Sequence, residues 1–106
     1  MKSKIQFANE KVRKAFDKLE KSDFKLYNHI LRVFKIIQED AFYGTQIPKK
    51  MIPKEYIKKF HVKNVWKYDL PNAWRLIYSI EGKDFTVFSI ILEWMDHKNY
   101  ERRFGY

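Results

Sequence analysis

Cysteine is absent from the 106 residues, and glycine and proline occur only three times each. Without cysteine the chain has neither disulfides nor thiolate metal sites, and cysteine pairing says nothing about its redox compartment. The few glycines form no Gly-rich phosphate loop, and His, Asp and Glu show none of the spacings typical of metal sites. The sequence therefore predicts neither a metal nor a cofactor.

Long apolar runs are also missing. No segment approaches the length needed to span a membrane, and the first four residues lack the apolar region of a signal peptide. We therefore expect a cytoplasmic protein that is not a membrane protein. The length is sufficient for one domain over residues 1–106, with one modest core.

Positive charge is abundant, with a formal net charge of +9. Such a balance favours a polyanionic partner: nucleic acid first, an acidic protein second and a membrane surface third. Residues 43–61 hold the densest cationic run in a proline-punctuated segment, and one or two helical turns are expected over residues 55–60. The run is either a solvated connector or a phosphate-contacting surface, and its lysines are Lys49, Lys50, Lys54, Lys58 and Lys59.

The N-terminal half predicts one short strand followed by two amphipathic helices. Residues 5–7 read as a first strand. Asn9 is a plausible N-cap for a helix over residues 10–21, whose apolar residues recur at helical spacing. Residues 22–23 end this helix and cap a longer one over residues 24–38. The two helices are predicted to lie antiparallel on one face of a sheet.

The C-terminal half predicts three strands. Residues 62–70 and 74–80 alternate between apolar and polar positions, and a turn at residues 71–72 separates them. Residues 81–84 predict a hairpin in which Gly82 takes a positive φ. Residues 85–95 are apolar at almost every position, as is typical of an inner strand buried on both faces. The predicted fold is α+β: a small antiparallel-rich sheet in the order β-α-α-β-β-β, two helices on one face, and a short C-terminal helix or tail.

Arg75 requires an explanation because it lies within a strand that is otherwise largely apolar. One interpretation is a structural ion pair with Glu93 or Asp69. The other places Arg75 on the open, helix-free face beside Glu93, where it would bind a phosphate. If the hairpin loop has an odd number of residues, Leu92 and Trp94 share a face with the apolar residues of the preceding strand.

The last ten residues concentrate polar and aromatic groups just beyond the inner strand. His97 and Tyr100 are side chains that move protons, and they would lie near Arg75. Alternatively Tyr100 and Phe104 pack back on the sheet and His97 caps the strand end. The remaining candidates for RNA contact in this tail, by backbone binding or base stacking, are Lys98, Arg102, Arg103 and Tyr106.

Two short motifs resemble the RelE/ParE superfamily of toxin-antitoxin toxins, and most closely its RelE- and YoeB-like mRNA interferases. Residues 74–78, Trp-Arg-Leu-Ile-Tyr, match the aromatic-Arg-aliphatic-aliphatic-Tyr strand of that family, and residues 97–100, His-Lys-Asn-Tyr, match its His-basic-x-Tyr ending. The resemblance implies a RelE-like domain and a ribosome-dependent endoribonuclease that cuts mRNA without a metal. It also implies a cognate antitoxin, small and acidic, in a toxin-antitoxin hetero-oligomer, with the ribosome and mRNA as further partners.

The resemblance also implies roles for individual residues. Arg75 would bind the scissile phosphate, and His97 and Tyr100 would transfer protons or stack on a base. Lys98 stands where many relatives have arginine, which removes a bidentate phosphate contact. The general base is open among Lys54, Lys63, Lys67 and Glu55. Lys54 is taken as the catalytic candidate, and Lys63 and Lys67 are also candidate RNA contacts.

Two other functions stay open. A ParE-like toxin that acts on gyrase through a protein interface would share the fold without needing His97 or Tyr100. A catalytically silent member would bind only RNA or an antitoxin.

Overall fold

The computed structural model describes residues 1–105, which form four helices and a five-stranded mixed sheet. The helices are α1 (Glu10–Ser22), α2 (Phe24–Glu39), α3 (Lys54–Phe60) and α4 (His97–Phe104). The strands are β1 (Lys4–Phe7), β2 (Thr45–Gln46), β3 (Trp66–Asp69), β4 (Arg75–Lys83) and β5 (Thr86–Met95). The predicted α+β class is confirmed.

The sheet has the order β1-β5-β4-β3-β2. β1 runs parallel to β5, whereas the other neighbours are antiparallel. β5 is thus an inner strand, as predicted. β2 was not predicted, because two residues are too few to show alternation.

Local capping explains where the first two helices begin. The side chain of Asn9 accepts a hydrogen bond from Val12 N at 3.0 Å, and Asp23 does the same for Leu26 N at 3.1 Å. These bonds satisfy backbone donors that the first helical turn leaves unpaired. Both predicted helices are confirmed to within about one residue at each end. No helix among residues 1–105 has the length and apolarity required to cross a membrane.

Two apolar clusters lie on opposite faces of the sheet. The first joins α1 and α2 to β4 and β5, and its fully buried members are Ile30, Ile37, Leu76, Tyr78 and Ile91. The second joins α3 and α4 to the other face through Tyr56, Ile77, Leu92, Tyr100 and Phe104. The expectation of a helix-free second face was wrong, because α3 and α4 each direct aromatic side chains onto it.

A β-bulge between β4 and β5 sets which side chains share a face. Ile77 pairs with Glu93, but its neighbour Tyr78 pairs with Ile91, so Leu92 is the extra residue. Leu92 therefore packs in the second cluster, whereas Trp94 packs in the first. The expectation that Leu92 and Trp94 share a face was wrong, since it assumed uninterrupted alternation.

The ends of β3 and β4 also differ from expectation. Residues 62–65 do not pair as a strand, because the side chain of Asn64 replaces the ladder and bonds both the N–H and the C=O of Ile80 at 2.8 Å. β4 continues through Gly82 to Lys83, which pairs with Thr86. The positive φ of this two-residue hairpin loop belongs to Asp84, at 57°, and not to Gly82.

Candidate functional site

Arg75 is the first residue of β4, and neighbouring strands place two residues directly beside it. Asp69 is its partner on β3, and Met95 is its partner on β5. The carboxylate oxygen Oδ1 of Asp69 lies 2.9 Å from Arg75 Nε, and only 16% of the Arg75 side chain is exposed. Of the two partners expected from the sequence, Arg75 pairs with Asp69, whereas Glu93 faces Ile77.

His97 reaches Arg75 because α4 begins two residues after β5 ends. Asp96 caps this helix by accepting a hydrogen bond from Asn99 N at 2.9 Å. The first residue of α4 is therefore held beside the start of β4, where His97 Nδ1 lies 3.4 Å from an Nη atom of Arg75. The other ring nitrogen of His97, Nε2, contacts the carboxylate of Glu101 one helical turn later.

Tyr100 lies beneath this pair and presents the face of its ring. The Arg75 guanidinium carbon is 5.5 Å from the ring centroid, and Lys67 Nζ is 5.9 Å from it. Tyr100 is buried, its hydroxyl is shielded from solvent, and its ring stacks on Phe104 at 4.6 Å. The alternative in which Tyr100 and Phe104 pack on the sheet is confirmed. Tyr100 thus supplies a cation–π surface under the two cations.

Lys67 completes the cluster from β3. Its Nζ lies 2.9 Å from Oδ1 of Asp69, the same oxygen that contacts Arg75. Two cations, one histidine and two carboxylates therefore meet where the end of β3, the start of β4 and the start of α4 adjoin. We call the group formed by Lys67, Asp69, Arg75, His97 and Tyr100 the Arg75 cluster. Its outer neighbour Glu101 was not singled out from the sequence, although its position four residues after His97 signals a contact on a helix.

A second polar network connects α3, β5 and α4. The Tyr56 hydroxyl donates a hydrogen bond to Glu93 Oε2, and Arg103 donates to the same oxygen at 3.0 Å. Arg103 also lies 3.2 Å from Glu55. Arg103, a candidate RNA contact, is therefore committed to two carboxylates within the protein. Burial, followed by the hydrogen bond to Glu93, raises the pKa of the Tyr56 hydroxyl well above its usual value.

A cavity of about 410 Å³ adjoins this second network and not the Arg75 cluster. Its lining includes Val12, Tyr56, Phe60, Glu93 and Arg103. Three of its polar lining residues, Tyr56, Glu93 and Arg103, bond one another. These bonds give them a structural role in holding α3, β5 and α4 together. We therefore place the candidate site at the Arg75 cluster, where cations face solvent-exposed carboxylates.

The other predicted site residues are dispersed over the surface. Lys49, Lys50 and Lys54 are exposed on the short 3₁₀ turn and the α3 start that follow β2, and Lys63 is exposed after α3. Lys98 and Arg102 are exposed on α4. Within residues 1–105, Lys54 makes no polar contact with Arg75 or His97, so the structure does not bring this base candidate to the cluster. Tyr106 lies outside the described residues.

No set of three or more His, Asp and Glu side chains in the described part of the chain is arranged to hold a metal ion. Comparison of the chain with protein families, with curated proteins and with solved structures gives no match. Function is therefore inferred from the Arg75 cluster and the charge around it.

Proposed function

We propose that this protein is a toxin of the RelE/ParE type that cleaves ribosome-bound mRNA. The observation that carries the proposal is the meeting of Arg75, Lys67 and His97 at one end of β3 and β4, where His97 Nδ1 lies 3.4 Å from an Nη atom of Arg75. Cations and a titratable imidazole are the groups that metal-independent cleavage of a phosphodiester requires. The partners in this proposal are the ribosome, mRNA and a small acidic antitoxin that forms a hetero-oligomer with the toxin in the cytoplasm.

The reaction in this proposal is an internal transfer at phosphorus. The ribose 2′-oxygen attacks the phosphorus and loses its proton to a base, the bond to the 5′-oxygen breaks, and that oxygen receives a proton. The products are a 2′,3′-cyclic phosphate and a free 5′-hydroxyl. Arg75 and Lys67 bind the phosphate oxygens and stabilise the charge that develops on them. His97 gives a proton to the 5′-oxygen, and Tyr100 positions Arg75 through its ring.

A second candidate function is a silent module that binds RNA or an antitoxin without cutting. It is favoured because the reactive groups are already paired within the protein. Arg75 pairs with Asp69, and His97 Nε2 pairs with Glu101. The buried hydroxyl of Tyr100 points the same way, because a proton donor must reach the substrate. In this function the cluster retains phosphate affinity and lacks a free acid.

The test is cleavage of mRNA on purified translating ribosomes, read by primer extension. We expect Arg75→Ala and His97→Gln each to lower the cleavage rate by roughly 10²- to 10⁴-fold, which is typical of losing a positioned charge or proton-transfer group. Arg32→Ala and His29→Gln change the same residue types on α2 and should leave the rate unchanged.

The thermal midpoint separates a catalytic from a structural Arg75. Its ion-pair partner Asp69 is more than half exposed, so we expect Arg75→Ala to fold with nearly the same midpoint. Unfolding of this variant would instead indicate a structural ion pair, whose disruption costs ~3 to 5 kcal/mol when buried. Wild-type protein that binds ribosomes but leaves mRNA intact would establish the silent module.

A further inference from the structure

A single carboxylate oxygen bridges the two cations of the Arg75 cluster. Oδ1 of Asp69 lies 2.9 Å from Arg75 Nε and 2.9 Å from Lys67 Nζ. The Asp69 side chain is 59% exposed, whereas Arg75 and Lys67 are 16% and 19% exposed. The carboxylate is therefore the outermost member of the group and stands between solvent and both cations.

The cations do not depend on Asp69 alone for their positions. Both lie over the ring of Tyr100, and both are fixed by adjacent strands, in which Lys67 pairs with Ile77 and Arg75 pairs with Asp69. Tyr100 itself is buried by packing against Phe104. If the carboxylate swung outward, the two positive groups would stay close together, held from below by an aromatic face.

Carboxylates and phosphates bind cationic side chains through the same charge-assisted hydrogen bonds. A carboxylate placed between an arginine and a lysine therefore stands where a non-bridging phosphate oxygen would bind. Because Asp69 is exposed, water can solvate it after it leaves, which makes the exchange inexpensive. A substrate phosphate needs the same two cationic groups that Asp69 now pairs with.

We propose that Asp69 is an internal competitor that occupies the phosphate position of the Arg75 cluster in the free protein. A phosphodiester binds by displacing the Asp69 carboxylate from Arg75 Nε and Lys67 Nζ, and release restores the internal contact. The proposal rests on the proposed function for the identity of the natural phosphodiester, which is RNA. It sets the affinity of the site, because every binding event must first break the Asp69 contacts.

The opposite role for Asp69 is to orient Arg75 for phosphate. The two roles predict opposite signs for removal of the charge. If the carboxylate orients Arg75, a variant without the Asp69 charge binds phosphate more weakly than wild type. If the carboxylate competes with phosphate, that variant binds phosphate more tightly. Asp69→Asn separates them because the amide keeps the size of the side chain and one acceptor oxygen but removes the charge.

The first experiment measures binding of a fluorescein-labelled single-stranded deoxyoligonucleotide, which has phosphodiesters but no 2′-hydroxyl to react. We expect Asp69→Asn to bind about five- to tenfold more tightly than wild type at 0.1 M salt, since a charge in direct contact with both donors is removed. The control Asp84→Asn alters the net charge equally at the tip of the β4–β5 hairpin and should change affinity less than about twofold. Asp69→Asn affinity equal to that of Asp84→Asn, or below wild type, would overturn the proposal.

The second experiment observes displacement directly in the wild-type protein. Inorganic phosphate is titrated while NMR follows the Arg75 Nε–H signal and the ¹³C signal of the Asp69 carboxyl. Displacement predicts that both signals shift with the same dissociation constant for phosphate. It also predicts that Lys67→Gln raises that dissociation constant. Movement of the Arg75 signal with an unchanged Asp69 signal would mean that phosphate joins the contact, which contradicts competition.

Failure of this inference is distinguishable from failure of the proposed function. Tighter oligonucleotide binding by Asp69→Asn without any mRNA cleavage by wild type would retain the competitor and remove the ribonuclease. Cleavage by wild type with weaker binding by Asp69→Asn would retain the ribonuclease and remove the competitor.

Discussion

Gly44 lies just before β2 and packs closely against β3 and β4, where there is no room for a side chain. A Cβ atom at this position would lie 2.5 Å from the carbonyl oxygen of Lys67 and 2.6 Å from the hydroxyl oxygen of Tyr78. The Gly44 N–H donates a hydrogen bond to that hydroxyl at 3.2 Å, and the hydroxyl donates to the carbonyl of Ala41 at 2.8 Å. Close backbone approach, and not a positive φ, requires glycine here.

We expect Gly44→Ala to lower the free energy of unfolding by ~1 to 3 kcal/mol, because Tyr78 is fully buried and has no room to move away. Urea denaturation measures the loss. Gly82→Ala is the matched control, since a Cβ there meets nothing within 4 Å and the residue lies in a strand. Equal stability of the two variants would show that the Gly44 segment shifts at no cost.

The sequence did not indicate which glycine the structure requires. The sequence predicted a positive φ for Gly82, because a glycine between charged residues is typical of a hairpin turn. The register places the turn two residues later, at Asp84, whose short polar side chain tolerates the left-handed region. Register depends on pairing along the whole of β4 and β5, so the composition of the turn could not determine it.

At the scale of elements, the second polar network holds α3 and α4 on one strand. Tyr56 on α3 and Arg103 on α4 both bond Glu93 of β5. Tyr56 is almost completely buried, and burial with the Glu93 bond raises the pKa of its hydroxyl above its ordinary value of 10. Burial likewise raises the pKa of Tyr78 to about 12.

These shifts predict a loss of stability in alkaline solution. Above pH 10 the unfolded chain loses the tyrosine protons while the folded protein keeps them, so the unfolded state binds fewer protons and stability falls as pH rises. The slope is about 1.4 kcal/mol per pH unit for each such tyrosine. We expect urea denaturation between pH 10 and 11.5 to give a shallower slope for Tyr56→Phe. Tyr43→Phe, at an exposed position, should retain the wild-type slope.

Helices and strands were largely predictable, and the bulge was not. Periodic apolar positions and side-chain caps locate α1 and α2 because they are local signals. Leu92 is apolar on either face, so nothing in its immediate sequence marks it as the extra residue of β5. Without the bulge the hairpin register would pair Glu93 with Leu76 and turn it toward α1 and α2. The bulge places Glu93 toward Tyr56 and Arg103.

At the scale of the whole molecule, the net charge of +9 favours association with polyanions. Lys49 and Lys50 are exposed between β2 and α3, and Lys54 is exposed as the first residue of α3. If they contact phosphates, reversing all three to Glu should reduce the slope of log affinity against log salt by about 2, at roughly 0.7 for each contact with a single strand. Ribosome or RNA binding at a series of salt concentrations measures the slope.

The control for this triple variant reverses three exposed lysines of α1: Lys14, Lys18 and Lys21. Both variants lose the same net charge, so long-range attraction falls equally in each. A slope that changes by the same amount in both would assign Lys49, Lys50 and Lys54 to solvation alone.

The candidate site was predictable in its residues but not in its orientation. The strand motif and the ending after β5 indicated Arg75, His97 and Tyr100, and the structure brings these three together. Whether Tyr100 presents its hydroxyl or its ring depends on the rotation of α4. Phe104 fixes that rotation from one turn away by packing in the same cluster.

The parallel pairing of β1 with β5 has a consequence for how the protein is made. Lys4 pairs with Phe88 and Phe7 with Ile91, so each β1 residue pairs with a residue that is synthesised much later. Such distant partners slow folding, since a long loop must close before the contacts form. Arg75 also meets His97 only after α4 has docked behind β5. The Arg75 cluster therefore forms only after the chain has been translated through α4.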